Sequence, residues 1–330
     1  MIRALAVLAA LALSVPASVA QEQPDLSGNL FIHDPTIIAG EEHFASFATG
    51  VERHADGGMP RTKSSKDGVR WEETGELPGG MPQWIVDELG FTPLNIWAPD
   101  ISEYQGTHYL YYSASTFGKN TSLIGLMTNY GFNAEDPAAG WVDRGLVIRS
   151  RSSDSFNAID PHRFDDADGR AFLLFGSFWD GIRMVQIDPA TGKRLAGAAS
   201  TRMASRSGGP IEAPAMLFND GYYYLLVAFD FCCRGPGSTY RIMVGRASSV
   251  EGPFRDRDGT ALVLGGGTEL LSGTNARRGP GGQDVFTGPD GPMLAYHYYD
   301  QSAGWAPKLQ ITPIHFDANG WPYVDPMPED

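Results

Sequence analysis

The sequence predicts an all-β chain folded as a five-bladed β-propeller, and three observations carry that expectation. Glycine is abundant at 40 of 330 residues, and 17 Phe, 13 Tyr and 7 Trp accompany it. No long Leu/Ala/Glu/Lys-rich stretch shows helical periodicity. A short apolar segment with an acidic residue beside Pro or Gly recurs five times. The copies are Ile32-His33-Asp34-Pro35-Thr36-Ile37, Trp97-Ala98-Pro99-Asp100-Ile101, Ile159-Asp160-Pro161-His162, Ile211-Glu212-Ala213-Pro214-Ala215 and Gly282-Gln283-Asp284-Val285-Phe286. The prolines of the first four lie 64, 62 and 53 residues apart, the length of one propeller blade. A β-sandwich would repeat turn signals every ~8–12 residues without this long period.

From the N-terminus, Arg3, an apolar run over residues 4–15 and the small residues Ser18-Val19-Ala20 form a secretory leader, expected to be cleaved after Ala20. The run is too short to span a membrane and no second one follows. Residues 21–330 then form one propeller domain, secreted or periplasmic. After each repeated segment comes a Gly- or Asp-containing loop and a strand rich in aromatic and β-branched residues, over 43–49, 107–115, 171–178, 221–230 and 293–299. Third strands are expected over 124–128, 181–188, 240–247 and 309–316, with a weaker one before Trp71. Short outer strands fit around Trp141-Val142 and Phe254.

The formal charge is −14, or −15 once Arg3 leaves with the leader, which gives 24 basic against 39 acidic residues. A field of that sign repels phosphate backbones and excludes nucleic acid as a partner. Acidic pectin is disfavoured too, while a neutral or cationic ligand is compatible. Cys232 and Cys233 are adjacent, cannot staple distant segments and are too few for a metal site, so they are either buried or bridged to each other.

In a propeller the first strand of each blade lines the central channel, so residues opening those strands converge. The openings carry Asp34, Asp100, Asp160, Glu212 and Asp284, five acids at one repeat position. Any one alone reads as a turn former. Together they read as a catalytic carboxylate cluster. His33 and His162, beside two of them, are expected on the opposite strand face.

These residues carry a specific resemblance. The runs His33-Asp34-Pro35, Asn95-Ile96-Trp97-Ala98-Pro99-Asp100-Ile101, Asn157-Ala158-Ile159-Asp160-Pro161, Gly176-Ser177-Phe178-Trp179, Glu212-Ala213-Pro214, Asp230-Phe231-Cys232-Cys233-Arg234, Ser238-Thr239-Tyr240 and Gly279-Pro280-Gly281-Gly282-Gln283-Asp284 occur in family order. The chain resembles the endo-α-1,5-L-arabinanases of glycoside hydrolase family 43, over most of its length after the leader. The resemblance implies an inverting hydrolase that cuts arabinan internally, with Asp34 as general base, Glu212 as general acid and Asp160 as the modulator of the acid's pKa. The chemistry agrees. One carboxylic acid must protonate the leaving oxygen and one carboxylate must act at the anomeric carbon. A third nearby raises the acid's pKa by like-charge repulsion. Inversion needs room for a water, hence about 6.5–9.5 Å between the Asp34 and Glu212 carboxyls.

A furanose has one apolar face, which calls for an aromatic floor, and Trp97, Phe117 and Trp179 are the candidates. The resemblance adds Gly118, Asn157 and Ser177 as sugar contacts, with Ala158, Ile159 and Phe178 from the same runs and Asp34 and Asp160 themselves. It also places His297, in Tyr296-His297-Tyr298-Tyr299-Asp300, at the channel centre beside a bound ion, usually calcium, with the imidazole as the only protein ligand and water supplying most of the shell. No organic cofactor is expected, and the chain is expected to be a monomer acting on arabinan or its oligosaccharides. An exo-acting α-L-arabinofuranosidase or β-xylosidase on the same fold, and a non-catalytic sugar-binding propeller, are the alternatives.

Overall fold

The computed structural model describes residues 23–51 and 58–329; the expected leader and its cleavage site lie outside the described residues. Among the described residues five sheets of three to five strands follow one another along the chain, and a two-stranded ribbon, His315–Phe316 with Pro322–Tyr323, follows the last. In each, the strands pair antiparallel with their sequence neighbours, the meander of a propeller blade. The first blade comprises Thr36–Ala39, Phe44–Ala48, Arg61–Ser65 and Arg70–Glu76, with Ser27–Gly28 added parallel to its outer strand. Trp97–Tyr104, Thr107–Ala114, Ser122–Asn129 and Val142–Ser150 form the second. His162–Asp165, Ala171–Phe175, Ile182–Ile187 and Thr201–Ala204 form the third. Ile211–Asn219, Tyr222–Phe229, Arg241–Ala247 and Thr268–Ser272 form the fourth. The fifth has Arg277–Gly288, Gly291–Asp300 and Ala306–Pro313. The fourth blade's outer strand is therefore Thr268–Ser272 rather than a segment at Phe254. Phe254, only 2% exposed, packs instead into the core between the third and fourth blades. The α-helix Gln83–Leu89 was not anticipated. Too short for a periodic signal, it lays Ile85 and Leu89 into the core between the first and second blades.

The apolar side chains divide into five clusters, one at each junction of successive blades. Leu110 and Tyr112 meet Ala45 and Phe47 at the first junction; Tyr109 and Tyr111 meet Leu173 and Phe175 at the second. Phe172 and Leu174 meet Leu225 and Val227 at the third, and Leu226 and Val244 meet Leu294 and Tyr296 at the fourth. The last cluster, Ile37, Ala48 and Trp71 against Met293, Ala295 and Leu309, joins blade five to blade one. Alternate residues of one strand thus serve opposite neighbours, which explains why these strands read as near-continuous apolar runs.

Closure comes from the N-terminal segment. The Leu309 amide donates to Leu30 carbonyl and the Ile32 amide to Pro307 carbonyl, so this segment supplies the fifth blade's outer edge before Thr36 begins the first.

Around the axis the blade openings repeat at two levels. Asp34, Ala98, Asp160, Ala213 and Gly282 all adopt positive φ, between 37° and 55°. Two residues further on, Thr36, Asp100, His162, Ala215 and Asp284 pair with Phe47, Tyr111, Leu174, Leu226 and Ala295 of the second strands. The five acids expected at one repeat position are thus split. Asp34 and Asp160 lie on the upper level and Glu212 one residue before it. Asp100 and Asp284 sit a level deeper, because the strand period of two carries every second residue to the same face. Asp100 and Asp284 are 4% and 6% exposed and bind neighbouring blades: Asp100 accepts from His162 and the Arg163 amide, Asp284 from Thr36 and the Ile37 amide. His162 therefore faces the axis, not the opposite side of its strand.

Candidate active site

Three carboxyls, Asp34, Asp160 and Glu212, meet at or beside the upper level. Asp34 accepts hydrogen bonds at Oδ2 from His33 Nδ1 at 2.8 Å and Thr49 Oγ1 at 2.7 Å. Burial alone would raise its pKa, but the His33 charge and hydrogen bond, then His297 and Thr49, overcome this and hold it at about 2. His33, expected to face away, belongs to the site, because its ring stacks on His297 at 3.9 Å between centroids while bonding Asp34. Burial acts to lower the His33 pKa, yet the Asp34 and Glu212 charges raise it overall.

Glu212 behaves in the opposite way. Its Oε2 accepts the Ser177 hydroxyl at 2.6 Å and its Oε1 the Tyr240 hydroxyl. Burial lifts the Glu212 pKa to about 7; the Ser177 bond opposes this, the Asp34 charge adds to it and His33 subtracts. Asp160 is also pushed well above the usual carboxylate range, by burial, then Glu212, then Asp34, against a 3.0 Å hydrogen bond from the Ala213 amide. The sequence reading gave Asp160 the task of raising Glu212. In the structure both carboxyls of the Asp160–Glu212 pair are raised, burial leading in each, and the Glu212 charge acts next on Asp160. One carboxylate is thereby held low and a neighbouring pair is raised, a division of labour suited to acid–base chemistry.

The proposed sugar contacts divide by exposure. Phe117 is 76% exposed, on the loop where Gly118 takes positive φ, and Trp97, Phe178 and Trp179 are partly exposed. Phe178 faces Phe231 with centroids 6.2 Å apart, and Trp97 is pinned by its indole N–H on Asn95. Ser177 is buried and bonds the Glu212 carboxyl, so it holds the expected acid. Asn157, 3% exposed, accepts the Ser122 hydroxyl. Ala158 packs between the second and third blades and Ile159 is buried. The side chains of Asn157, Ala158 and Ile159 therefore back the wall rather than line it, a correction that follows from their burial.

His297 is fully buried on the second strand of blade five. Burial, then the His33 charge, push its pKa down to about 3 against Asp34, so the ring is neutral. Its Nδ1 accepts the Asp34 amide hydrogen at 3.1 Å, which places the ring hydrogen on Nε2, a buried atom with no hydrogen-bond partner among the described residues. The Gln283 Oε1 is likewise buried without a partner. A nitrogen carrying hydrogen donates to water and does not ligate a metal, so these residues fit a cation held through its water shell and not one bound to the ring.

Sequence reasoning assigned no role to Thr49, Tyr240 or Tyr299, which bond Asp34, Glu212 and His33. All three lie outside the strand openings, and no repeat signal marks them. Cys232 and Cys233 are bridged to each other, one of the two alternatives; Cys233 is exposed, which removes the other.

Comparison with known proteins agrees with this layout. The family model described as glycosyl hydrolases family 43 matches residues 27–322. An extracellular endo-α-(1→5)-L-arabinanase of Bacillus subtilis is 40% identical over 296 residues, covering 90% of this chain and 88% of that protein. An extracellular exo-α-(1→5)-L-arabinofuranosidase of Cellvibrio japonicus is 35% identical, covering 89% and 86%. The structure of an endo-arabinanase from Bacillus licheniformis superposes with a TM-score of 0.83 at 42% identity, covering 91% of this chain and 99% of that one. With five blades, three carboxyls at the channel mouth and a match across nearly the whole described chain, the protein belongs to family 43 of the glycosyl hydrolases.

Proposed function

We propose that this hydrolase cleaves α-1,5-linked arabinan internally with inversion, Asp34 serving as general base and Glu212 as general acid. The observation that carries the reading is the opposed displacement of the two carboxyls, Asp34 to about 2 and Glu212 to about 7, within one buried cluster. In the reaction Glu212 gives its proton to the glycosidic oxygen as that bond breaks. Asp34 takes a proton from a water whose oxygen bonds the anomeric carbon from the opposite face. Asp160 orients the strand that carries Glu212 through the Ala213 amide. Phe117, Trp97 and Trp179 offer apolar faces to the sugars. A hydrated calcium ion near His297 and Gln283 would supply positive charge that eases repulsion among the carboxyls.

Internal cleavage is favoured over exo attack by the endo-acting relatives at 40% and 42% identity, against 35% and 36% for two exo-acting ones. No helix among the described residues is long and apolar enough to cross a membrane. The extracellular relatives, together with the leader-like sequence at the N-terminus, support export. Product analysis on debranched arabinan tests the reading: oligosaccharides support it, arabinose alone makes the enzyme exo-acting, and no release leaves a sugar-binding protein.

A further inference from the structure

The two oxygens of Asp34 are not equivalent. Oδ2 accepts two hydrogens, from His33 Nδ1 and Thr49 Oγ1, and each donor is fixed from behind. Thr49 Oγ1 accepts the Ala98 amide hydrogen at 2.9 Å, so its own hydrogen is left for Asp34. The Tyr299 hydroxyl accepts the Cys233 amide hydrogen at 2.9 Å and lies 2.9 Å from His33 Nε2. A neutral His33 takes the Tyr299 hydrogen at Nε2 and keeps its own on Nδ1; a charged His33 carries hydrogen on both nitrogens. In either state an N–H at Nδ1 points at Oδ2.

Oδ1 receives no hydrogen bond from the described residues. The facing nitrogen, His297 Nδ1 at 3.5 Å, already accepts the Asp34 amide hydrogen and offers Oδ1 only a lone pair. Gly282 approaches it so closely that a Cβ there would stand 2.2 Å from Oδ1, so only glycine leaves this oxygen unobstructed. A carboxylate saturated on one oxygen and open on the other is directional.

We infer that Thr49 and Tyr299 are positioning residues: acting directly and through His33, they lock Oδ2 and leave Oδ1 as the oxygen that removes the proton from the attacking water. The Cys232–Cys233 bridge is the far end of this lock, because it holds the amide that anchors Tyr299. In the step, a water O–H bond breaks and its proton passes to Oδ1, the water oxygen bonds the anomeric carbon, and the glycosidic bond breaks as the leaving oxygen takes the Glu212 proton. Without the lock the carboxylate rotates and each oxygen spends part of its time misaligned, a loss in turnover rather than in binding.

This inference rests on Asp34 being the base, and the experiment separates the two. Thr49→Val and Tyr299→Phe should each lower kcat about tenfold on debranched arabinan while KM stays within about twofold. Thr49→Ser, which keeps the hydroxyl, should restore most of the turnover. Replacing both Cys232 and Cys233 by Ala should reproduce the Tyr299→Phe signature in weaker form. Asp34→Ala is the control. If it is inactive while Thr49→Val and Tyr299→Phe keep full kcat, the lock is overturned and the base stands. If Asp34→Ala remains active, the base assignment itself fails. A Thr49→Ser variant as impaired as Thr49→Val would reduce Thr49 to a packing residue and also overturn the inference. Unchanged turnover in the cysteine double variant would remove the bridge from it.

Discussion

Ser177→Ala should make the enzyme tolerate more alkaline conditions. Ser177 is 3% exposed and its hydroxyl lies 2.6 Å from Glu212 Oε2, where it stabilises the ionised carboxylate. The Glu212 pKa of about 7 is the balance of burial and Asp34 against this bond and His33. A hydrogen bond to a charged group contributes about 1.5–3 kcal/mol, and one pKa unit corresponds to about 1.4 kcal/mol. Because Glu212 is partly exposed and keeps its bond from Tyr240, the lower end applies, so removing the hydroxyl should raise the pKa by about one unit. The sign follows from the role. A general acid must be protonated, so activity falls as pH rises through its pKa, and the midpoint of that fall should move from near 7 to about 8. Initial rates on dilute debranched arabinan between about pH 5 and 10, at constant ionic strength, give kcat/KM and with it the free-enzyme value. Any loss of plateau rate through poorer orientation of the acid does not bear on the test; the position of the limb is the measurement that counts. A limb that stays in place, or moves to lower pH, refutes the account of what sets this proton.

Glu212→Ala should abolish arabinan cleavage yet spare aryl arabinosides with activated leaving groups, which depart without a proton; initial rates on both substrates test this, and equal loss on both counts against the acid role. Following the anomeric proton by NMR during turnover should show the β-configured sugar first, and an initial α product would make Asp34 a nucleophile. For the cation, elemental analysis should find close to one equivalent of calcium, and exhaustive chelation or His297→Ala should reduce kcat much more than it raises KM. Metal-free protein with full activity would return His297 to the core.

Much of the fold was legible because five blades write their period into the chain, and prolines such as Pro35, Pro99 and Pro161 mark the strand openings. The levels along the axis were not. Asp34, Asp100 and Glu212 stand one position before, one after and two before their prolines, and only the backbone pairing shows that these offsets place them at different depths. Ala158 and Ile159 shared a motif with Asp160 but are buried, because they lie in the irregular segment before the strand that starts at His162, where no period assigns a face. Thr49, just past the end of a second strand, reaches Asp34, and Tyr299, on another second strand, reaches His33, through contacts that span 15 and more than 260 residues and leave no local mark.

The N-terminal segment on the last blade gives the molecule a clasp. Leu30 and Leu309 are 279 residues apart in sequence, and bringing such distant partners together costs about 5 kcal/mol of chain entropy. Intermediate arrangements of three or four blades leave an apolar junction face uncovered, whereas the finished ring covers all five. Assembly is therefore expected to be all-or-none late in the process: the chain's beginning must wait for its end to arrive. The same clasp sits immediately before His33 and Asp34, so the event that completes the ring also brings the proposed base into register. A partly assembled chain would then be incompetent for hydrolysis as well as unstable.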